Sequence, residues 1–458
     1  MKKKANSPLA VVILAAGRGT RMKSTLPKVM HTLAGLPMIN WLIATAEGLN
    51  PRKIVVVVGP DMPDLLQAAQ PHDTAIQQVR DGTAGALRVA LPALKGFKGD
   101  VLVLLGDAPL VTEETLRKLI AARHEGKKTG LAVLGVHLTN ADGYGRLMTA
   151  KNGVLKKIIE HKDASAKERA VTLVNTGAFC LDGARLAGWL KQVKKNNAAG
   201  EYYITDLPAI AAKDGVETRV HIACCAAEVQ GCNSREDLAG MEKTMQKRLR
   251  SRAMAGGVTM IDPDSVTLHH DTALEADVVI EPTVFFGSGV RVNSGAIIRA
   301  FSHLEGAVIG KNAVIGPFAR LRPGTDVGEN VRIGNFVEIK KSSLGKGSKI
   351  NHLAYVGDCR MGADVNFGAG AITVNYDGFD KHDTIIGDGV MVGSNSNLVA
   401  PVTLHDGSFI AAGSTITEDV PQDALAIARE PAQLRQGWAN DYRIRKKNSD
   451  KKQGIKKK

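Results

Sequence analysis

Residues 309–340 read IGKNAVIGPFARLRPGTDVGENVRIGNFVEIK. An aliphatic residue recurs at every sixth position of this stretch, and Ile309 and Ile315 are each followed directly by glycine. A period of six does not match the 3.6-residue turn of an α-helix. It predicts a parallel β-helix, in which each hexapeptide forms one face of a triangular coil and directs one aliphatic side chain inward.

The same period extends in both directions. The recurring positions are Leu268, Leu274, Ile280, Phe286, Val292, Ile298 and Leu304, then Ile309, Ile315, Leu321, Val327, Ile333 and Ile339, and finally Ile386, Val392, Leu398, Leu404, Ile410 and Ile416. Residues 374–384, which follow Thr373, are too polar to continue the coil, so we expect a protruding loop there. The second half of the chain is therefore predicted to be one β-helix domain.

The N-terminal half has a different organisation. Apolar runs rich in β-branched residues alternate with helix-like stretches such as Thr112–Ala122, which Thr112 opens. This pattern predicts a Rossmann-like α/β domain with a mainly parallel sheet that is covered on both faces. The predicted strands include Leu9–Leu14, Ile54–Val58, Val101–Leu105 and Leu131–Val136.

The two halves predict three segments along the chain. We expect the α/β domain over residues 1–235, a helical linker over 236–256, and the β-helix domain with a basic C-terminal tail over 257–458. The linker is predicted because Arg235–Arg252 is polar, contains no proline and reads as one helix.

The net charge of +14 is concentrated at the ends of the chain. Residues 443–458 carry nine Lys or Arg and one Asp, and Lys2, Lys3 and Lys4 add three positive charges. Both ends are predicted to be disordered and solvated, and no aromatic residues are interleaved with the charge of the tail. We therefore expect no nucleic-acid partner.

The composition favours a cytoplasmic protein. Five cysteines make an odd count without C-x-x-C or zinc-like spacing, which is typical of a reducing compartment. The apolar run at residues 9–16 resembles a signal peptide, but it is short and passes directly into Gly17-Arg18-Gly19. No stretch approaches the ~18 apolar residues that cross a bilayer, so we expect no membrane insertion.

A glycine-rich turn follows the first predicted strand. It reads Leu14-Ala15-Ala16-Gly17-Arg18-Gly19-Thr20-Arg21-Met22, and Leu26-Pro27-Lys28 comes next. Glycines at a strand-to-helix turn allow backbone N–H groups to approach phosphates, and we expect a helix N-terminus behind them. Although G-x-G is often only a tight turn, Arg21 and Lys28 add the cations that a triphosphate requires. The spacing is neither that of a Walker loop nor that of a dinucleotide fingerprint.

This turn, L-A-A-G-x-G-T-R-M followed by L-P-K, resembles the sugar-1-phosphate nucleotidyltransferases. With the β-helix and further motifs, nearly the whole chain resembles the bacterial bifunctional N-acetylglucosamine-1-phosphate uridylyltransferase/glucosamine-1-phosphate N-acetyltransferases. The motifs are Gly82-Thr83, Gly106-Asp107-Ala108-Pro109-Leu110, Gly143-Tyr144-Gly145-Arg146, Glu160-His161-Lys162-Asp163, Asn175-Thr176-Gly177 and Glu201-Tyr202-Tyr203-Ile204-Thr205-Asp206. The resemblance implies a left-handed β-helix, a homotrimer, and acetyl-coenzyme A and UTP as co-substrates in the synthesis of UDP-N-acetylglucosamine.

The resemblance also implies the residues of the nucleotidyl-transfer site. Asp107 and Asn233 would hold Mg²⁺, and Arg21 and Lys28 would act on the phosphates; without the resemblance, Asp107 could be a turn-capping residue before Pro109. Gln77, Gly82 and Thr83 would contact the base, and Gly145, Glu160 and Asn175 the sugar. The complete nucleotide- and sugar-binding set is Leu14, Ala15, Ala16, Gly17, Lys28, Gln77, Gly82, Thr83, Leu105, Gly106, Asp107, Gly145, Glu160, Asn175 and Asn233.

Three positions depart from the family pattern. Arg80 stands where the family usually has the second Gln of Gln-x-x-Gln, Leu105 where an aromatic residue is often found, and Gln230 where an acid is expected near Asn233. The first departure lies among the expected nucleobase contacts, so it bears on the preference for uridine.

The acetyl-transfer site is implied in the same way. Acetyl transfer to an amine needs a general base, and His352, beside the inward-pointing Ile350, matches that residue of the family, although a lone histidine is usually structural. The residues that match the sugar-phosphate side are Arg322, Lys340, Tyr355, Asn366 and Asn375. Those that match the acetyl-coenzyme A side are Ala369, Asn375, Tyr376, Ser394, Ala412 and Arg429.

Two other functions remain open from the sequence. The chain could be a monofunctional sugar nucleotidyltransferase with a structural or regulatory β-helix, as in glucose-1-phosphate adenylyltransferases, although His352 and Arg429 argue against this. It could also be a non-enzymatic trimeric scaffold, against which Arg21, Lys28 and Asp107 argue. The bifunctional interpretation predicts only small-molecule substrates and further copies of the chain as partners.

Overall fold

The computed structural model of the protein describes residues 7–452, so Lys2, Lys3, Lys4 and the last lysines of the basic tail lie outside the described residues. The chain forms two compact units. The first ends at Ala255 and also contains Thr267–Thr272, and the second contains Gly256–Val266 and continues from Ala273. Among the described residues, no helix combines the length and the apolar character needed to cross a bilayer.

A nine-stranded mixed sheet forms the centre of the first unit. The strands of this unit, including a separate hairpin of β2 and β3, are β1 (Leu9–Leu14), β2 (Thr32–Leu33), β3 (Leu36–Pro37), β4 (Lys53–Val58), β5 (Asp73–Ile76), β6 (Asp100–Leu105), β7 (Thr129–His137), β8 (Arg146–Thr149), β9 (Leu155–Ile159), β10 (Leu173–Asp182) and β11 (Glu217–Ile222). Seven strands follow the order β11-β7-β10-β6-β1-β4-β5, with β8 and β9 beside β10. Strand β1 is parallel to β4 and β6, whereas β10 is antiparallel to β6 and β7.

Helices cover both faces of this sheet, as the apolar strands predict. They are α1 (Met38–Gly48), α2 (Pro63–Ala68), α3 (Thr83–Ala90), α4 (Glu113–Arg123), α5 (Ala166–Arg169), α6 (Gly183–Gln192), α7 (Leu207–Lys213), α8 (Ala226–Val229) and α9 (Arg235–Ala255). Alternate residues of β1 enter opposite cores, Val11 and Ile13 on one face, Ala10 and Val12 on the other. The four strands predicted from the sequence are confirmed, and so is the helix opened by Thr112, whose hydroxyl accepts from the N–H of Thr115 at 3.3 Å.

The helix predicted over residues 235–252 is also confirmed, because α9 spans Arg235–Ala255. Its buried Met241 and Met245 pack against Met22, Leu33 and Met38 in a small core of their own.

The prediction of a helix behind the glycine-rich turn is wrong. Residues Thr20–Met22 form only one turn of 3₁₀ helix. The residues on either side of this turn, Gly19 and Lys23, have φ angles of 71° and 47°, in the left-handed region. A right-handed helix cannot continue through these residues, so the turn ends after three residues.

The second unit is the predicted left-handed β-helix, built from three parallel sheets. The first face contains Thr259–Met260, Val279–Ile280, Ile297–Ile298, Val314–Ile315, Arg332–Asn335, Lys349–His352, Asn366–Phe367, Met391–Val392, Phe409–Ile410 and Leu425–Ala426. The second face contains Ala273–Leu274, Arg291–Val292, Ala307–Ile309, Thr325–Val327, Ser343–Leu344, Cys359–Met361, Thr384–Ile386 and Val402–Leu404. The third face contains Phe285–Phe286, His303–Leu304, Arg320–Leu321, Glu338–Lys340, Tyr355–Gly357, Ile372–Val374, Asn397–Val399 and Thr415–Ile416.

Equivalent aliphatic side chains stack along the inside of the coil. On the first face, Ile280, Ile298, Ile315, Ile333 and Ile350 are almost fully buried and pair in register from one coil to the next. The six-residue period therefore records one inward position per face, as the sequence predicted.

Two details of the sequence interpretation need correction. Leu268 does not begin the coil, because Thr267–Thr272 belongs to the first unit, where the backbone of Leu268 exchanges hydrogen bonds with the Gln246 amide at 2.7 and 2.9 Å. The described part of the basic tail is not disordered, since Trp438–Lys452 forms helix α10. This segment contains neither glycine nor proline, and Trp438 stacks on Tyr442 one turn later.

Candidate functional site

A cavity of about 330 Å³ lies in the first unit at the carboxyl ends of β1 and β6. This is the edge where open α/β sheets generally bind ligands. The predicted residues that line the cavity are Leu14, Ala15, Ala16, Gly17, Lys28, Gln77, Gly82, Thr83, Leu105 and Asp107. Four further residues line the cavity and were not among the predicted site residues, namely Val29, Arg80, Ala86 and Glu201.

The predicted metal and phosphate residues meet in one cluster. Lys28 Nζ donates to Asp107 Oδ2 at 2.5 Å and to Asn233 Oδ1 at 3.2 Å, and Arg21 Nη2 donates to the same Asn233 oxygen at 2.8 Å. The side chains of Lys28 and Asp107 are only 14% and 16% exposed. The cluster therefore holds two cations against two oxygen ligands, with Lys28 and Asp107 largely buried and Arg21 exposed.

The oxygens of Asp107 and Asn233 fit Mg²⁺ by their chemistry. Both contact the same ammonium group, so they converge on one cation-binding position. Within residues 7–452, no group of three or more His, Cys, Asp or Glu side chains is arranged to hold a metal. Two protein oxygens suit Mg²⁺, which usually keeps several waters and binds substrate phosphates.

Backbone contacts fix the walls of the cavity. The N–H of Ala15 donates to Val57 O at 2.8 Å, and the N–H of Gly106 donates to Leu14 O at 2.9 Å. Gly82 has φ 109° and lies against the backbone of Tyr202, so a Cβ atom there would collide with the Tyr202 carbonyl. The amide of the buried Gln77 donates to Gly82 O at 3.2 Å. A direct hydrogen bond therefore holds two of the predicted base-binding residues, Gln77 and Gly82, together.

The three predicted sugar-binding residues also lie together, although they do not line this cavity. The N–H of Asn175 donates to Gly145 O at 2.8 Å, and a Cβ atom on Gly145 would lie 3.3 Å from Glu160 Oε1. Burial raises the pKa of Glu160 above its ordinary value, and a hydrogen bond from the Thr205 hydroxyl, at 3.1 Å, opposes that shift only in part.

The structure shows the environment of Leu105 and Gln230, two of the residues that depart from the family pattern. Leu105 packs over Gly177, where a Cβ atom would collide with the Leu105 side chain. Gln230 is exposed. The Leu105 side chain therefore occupies the space that a side chain at residue 177 would need.

In the second unit, His352 is exposed at the end of the strand Lys349–His352. Its Nδ1 lies 2.8 Å from Asn335 Oδ1 on the neighbouring strand, and the two residues are register partners. Ile350, two residues earlier, is fully buried. The strand therefore anchors Ile350 inside the coil and ends at the corner, where His352 is exposed.

Most of the predicted sugar-phosphate residues of the acetyl-transfer site lie near the third face. Asn375 Nδ2 donates to Asp358 Oδ2 at 2.5 Å, and Lys340 Nζ lies 3.8 Å from that oxygen. The hydroxyl of Tyr355 borders Gly357 beside Asn375, and Arg322 donates to Glu338 at 3.0 Å. Burial alone would raise the pKa of Asp358, but Asn375, Lys340 and Lys341 together lower it below its ordinary value.

The remaining predicted residues follow one corner of the coil, next to the first face. The carbonyls of His352, Ala369 and Ser394 accept from the N–H groups of Gly370, Asn395 and Gly413 at 3.1, 2.8 and 2.8 Å. Arg429 Nη1 donates to Ala412 O at 2.8 Å. Asn366 lies on the first face, and Tyr376 is exposed in the loop before Thr384. Across residues 7–452, no hydrogen bond or salt bridge joins this corner to the group around Asp358.

Comparisons with known proteins match both units. The family model of the MobA-like NTP transferase domain matches residues 11–173, and that of the bacterial transferase hexapeptide matches 306–341 and 383–418. A bifunctional protein GlmU of Paramagnetospirillum magneticum is 48% identical over 96% of this chain and 97% of its own length. Those of Zymomonas mobilis and Bartonella quintana are 46% and 43% identical over 97% and 96% of this chain, and over 99% and 98% of their own lengths.

The chain belongs to the GlmU family. These GlmU relatives match over both units, so the comparisons favour the bifunctional interpretation over a nucleotidyltransferase whose β-helix is only structural. The resemblance stated from the sequence motifs is thereby confirmed, including nucleotide and acetyl-coenzyme A use by the family.

Among the residues not predicted from the sequence, two polar side chains lie beside predicted site residues. Arg80 lines the cavity, and Asn335 contacts His352. In the sequence, the only signal at Arg80 was its departure from the Gln-x-x-Gln motif of the family. Asn335 has no motif of its own, and only its position one coil before His352, at a separation of 17 residues, could have identified it.

Proposed function

We propose that this chain makes UDP-N-acetylglucosamine in two steps. In the first, the second unit transfers an acetyl group from acetyl-coenzyme A to glucosamine 1-phosphate. In the second, the first unit transfers the uridylyl group of UTP to N-acetylglucosamine 1-phosphate. The observation that carries the proposal is that two sets of motif residues lie in two separate units, one around Lys28 and Asp107 and one around His352.

For uridylyl transfer, a phosphate oxygen of the sugar phosphate attacks the α-phosphorus of UTP. A new P–O bond forms, the bond to the β-phosphate breaks, and pyrophosphate leaves. Several negative charges must approach one another, so fixed cations lower the barrier. Arg21 and Lys28 supply such cations with little solvent screening at Lys28. Backbone groups of residues 14–17 lie beside them at the carboxyl end of β1.

Asp107 and Asn233 would hold Mg²⁺, which would neutralise phosphate charge when bound. Lys28 donates to both residues in the structure, so it also balances the Asp107 carboxylate. Gln77, Gly82 and Thr83 would contact the base, and Gly145, Glu160 and Asn175 would bind the sugar. These assignments rest on the family pattern and on the proximity of the residues within each set.

For acetyl transfer, the amine of glucosamine 1-phosphate attacks the thioester carbon of acetyl-coenzyme A. A C–N bond forms, the C–S bond breaks, and His352 takes the proton that the nitrogen loses. The thiolate of coenzyme A leaves and is protonated. Arg322 and Lys340 would bind the sugar phosphate through its charge, with Tyr355, Asn366 and Asn375 positioning the sugar. Ala369, Asn375, Tyr376, Ser394, Ala412 and Arg429 would bind acetyl-coenzyme A.

We further propose that the chain works as a homotrimer in the cytoplasm. The residues of the acetyl-transfer site form two groups in one chain, around Asp358 and along the His352 corner. A neighbouring copy would bring one group opposite the other. The exposed loop residues Tyr376 and Phe379, 54% and 91% exposed, support a contact with that copy.

Two assays on the full chain test the proposal. Release of thiol from acetyl-coenzyme A in the presence of glucosamine 1-phosphate tests the first reaction. Release of pyrophosphate from UTP and N-acetylglucosamine 1-phosphate in the presence of Mg²⁺ tests the second. Pyrophosphate release without thiol release would identify a monofunctional nucleotidyltransferase, and the absence of both would contradict the proposal.

A further inference from the structure

Arg80 connects three loops at one edge of the sheet, two of which line the cavity. It lies in the segment between β5 and α3, and its Nε donates to Ala16 O, just after β1, at 2.7 Å. Its Nη2 pairs with Asp61 Oδ1, just after β4. Strands β1, β4 and β5 are parallel neighbours, so one guanidinium joins the ends of three adjacent strands.

The surroundings of Arg80 hold its side chain in this position. A Cβ atom on Gly59 would collide with Arg80 Nη2, so the absence of a side chain at residue 59 leaves space for the guanidinium. Asp61 also pairs with Arg18, and the hydrogen bonds from Arg80 and Arg18 hold the pKa of Asp61 at about 2. The Asp61 carboxylate is therefore ionised at neutral pH and can orient Arg80.

The hydrogen bond to Ala16 has a consequence for the neighbouring glycine. In a trans peptide, the C=O of one residue and the N–H of the next lie in one plane and point in opposite directions. A guanidinium that holds the Ala16 carbonyl therefore also sets the direction of the Gly17 N–H. Ala16, Gly17 and Arg80 all line the cavity.

We propose that Arg80 is a positioning residue for nucleoside triphosphate binding, because it fixes the Ala16–Gly17 peptide through its link to Asp61. This inference rests on the proposed nucleotidyl transfer. Arg80 acts through the backbone of the glycine-rich turn, and holding the Ala16 carbonyl and the Asp61 carboxylate together requires a fork of several N–H donors. Lysine has one ammonium and no planar fork, so it cannot reproduce both contacts in the same geometry.

The test is steady-state kinetics of pyrophosphate release with Arg80→Ala and Arg80→Lys, with UTP varied. Loss of a hydrogen bond to a charged group typically weakens binding about tenfold or more. Because the Arg80 side chain is partly exposed, we expect an effect at the lower end of this range. We expect the KM for UTP to rise about tenfold in both variants, with kcat within about twofold of wild type. Arg52→Ala, which removes an exposed arginine that does not line the cavity, should leave both constants unchanged.

Thiol release by the second unit and the melting temperature check that each variant is folded. If Arg80→Ala fails to fold, Arg80→Gln, which keeps one donor, replaces it and is expected to give the same direction of change. A KM for UTP within twofold of wild type in folded Arg80→Ala, or full recovery in Arg80→Lys, would overturn the inference. Lack of pyrophosphate release by the wild-type chain would instead refute the proposed nucleotidyl transfer, so the two failures are distinguishable.

Discussion

His352 Nδ1 and Asn335 Oδ1 lie 2.8 Å apart on neighbouring strands of the first face. Because the acceptor is a carbonyl oxygen, Nδ1 is the nitrogen that carries the proton, and Nε2 keeps its lone pair. A general base needs that lone pair. Asn335 thus selects the tautomer of His352 that its proposed role as general base requires, and it restricts the rotation of an otherwise exposed ring.

Asn335→Ala is therefore expected to lower kcat for acetyl transfer about fivefold, since a neutral hydrogen bond contributes roughly 1 kcal/mol. Asn335→Asp keeps an oxygen acceptor and should retain most of the activity. The KM for acetyl-coenzyme A should change little in either variant. Thiol-release kinetics provide the measurement, and an Asn335→Ala variant with wild-type kcat would show that His352 needs no orienting partner.

His352→Ala should lower acetyl transfer by the 10²–10⁴-fold that a positioned general base contributes. Uridylyl transfer should be unchanged, because His352 belongs to the second unit. If the ring only fills a corner of the coil, the variant would instead lose thermal stability and keep its turnover. Turnover and melting temperature measured on the same preparation separate these outcomes, and full activity in a folded variant would refute the catalytic assignment.

Asp107→Ala should abolish uridylyl transfer and leave acetyl transfer near wild type. The variant removes the oxygen that Lys28 contacts at 2.5 Å, and with it one of the two proposed Mg²⁺ ligands. Asp64→Ala, at an exposed position of α2, serves as the matched control and should keep both activities. A parallel loss of both activities in folded Asp107→Ala would contradict two independent sites.

Glu160→Gln is expected to stabilise the protein at neutral pH while it weakens binding of the sugar phosphate. Burial raises the pKa of Glu160 above its ordinary value of 4.5, so the folded state holds this proton more tightly than the unfolded state does. The contribution of Glu160 to the free energy of unfolding is therefore greatest at low pH, and it falls as the pH rises from about 4.5 through the raised pKa. In Glu160→Gln, residue 160 cannot ionise, so the variant does not lose stability in this way as the pH rises.

Melting temperatures of both proteins across this pH range provide the test. The difference between Glu160→Gln and wild type should vanish at low pH and grow in favour of the variant toward neutral pH. A difference that is the same at every pH would mean that ionisation of Glu160 is not its cause. The KM for N-acetylglucosamine 1-phosphate should rise in the variant.

Light scattering of the full-length protein should report a mass near three times 48.6 kDa. In the proposed function a second copy brings the two separated groups of predicted acetyl-transfer residues together, and a closed ring of three is the assembly that the resemblance implies. Dilution provides a second check, because acetyl transfer should fall when the assembly dissociates while uridylyl transfer persists. A monomer with full acetyltransferase activity would contradict the trimer.

Local sequence patterns were sufficient to predict the two architectures. Each inward aliphatic residue of the β-helix, such as Ile315 or Ile333, stacks on the equivalent residue one coil away, so the fold is encoded in a short local period. Strands β1 and β6 are continuous apolar runs because the sheet is covered on both faces. Several of the predicted site residues of the first unit follow such strands within recognisable motifs.

The tertiary structure alone decides which of these residues contact one another, because the contacts join distant parts of the chain. Lys28 reaches Asp107 and Asn233 across 79 and 205 residues of chain, and no local pattern encodes that convergence. The contact of Arg80 with Ala16 depends on the order of parallel strands, and that of Asn335 with His352 depends on the register of one coil on the next. The short 3₁₀ turn after Gly19 was missed because the left-handed backbone angle of Lys23, which ends it, is not encoded in helix propensity.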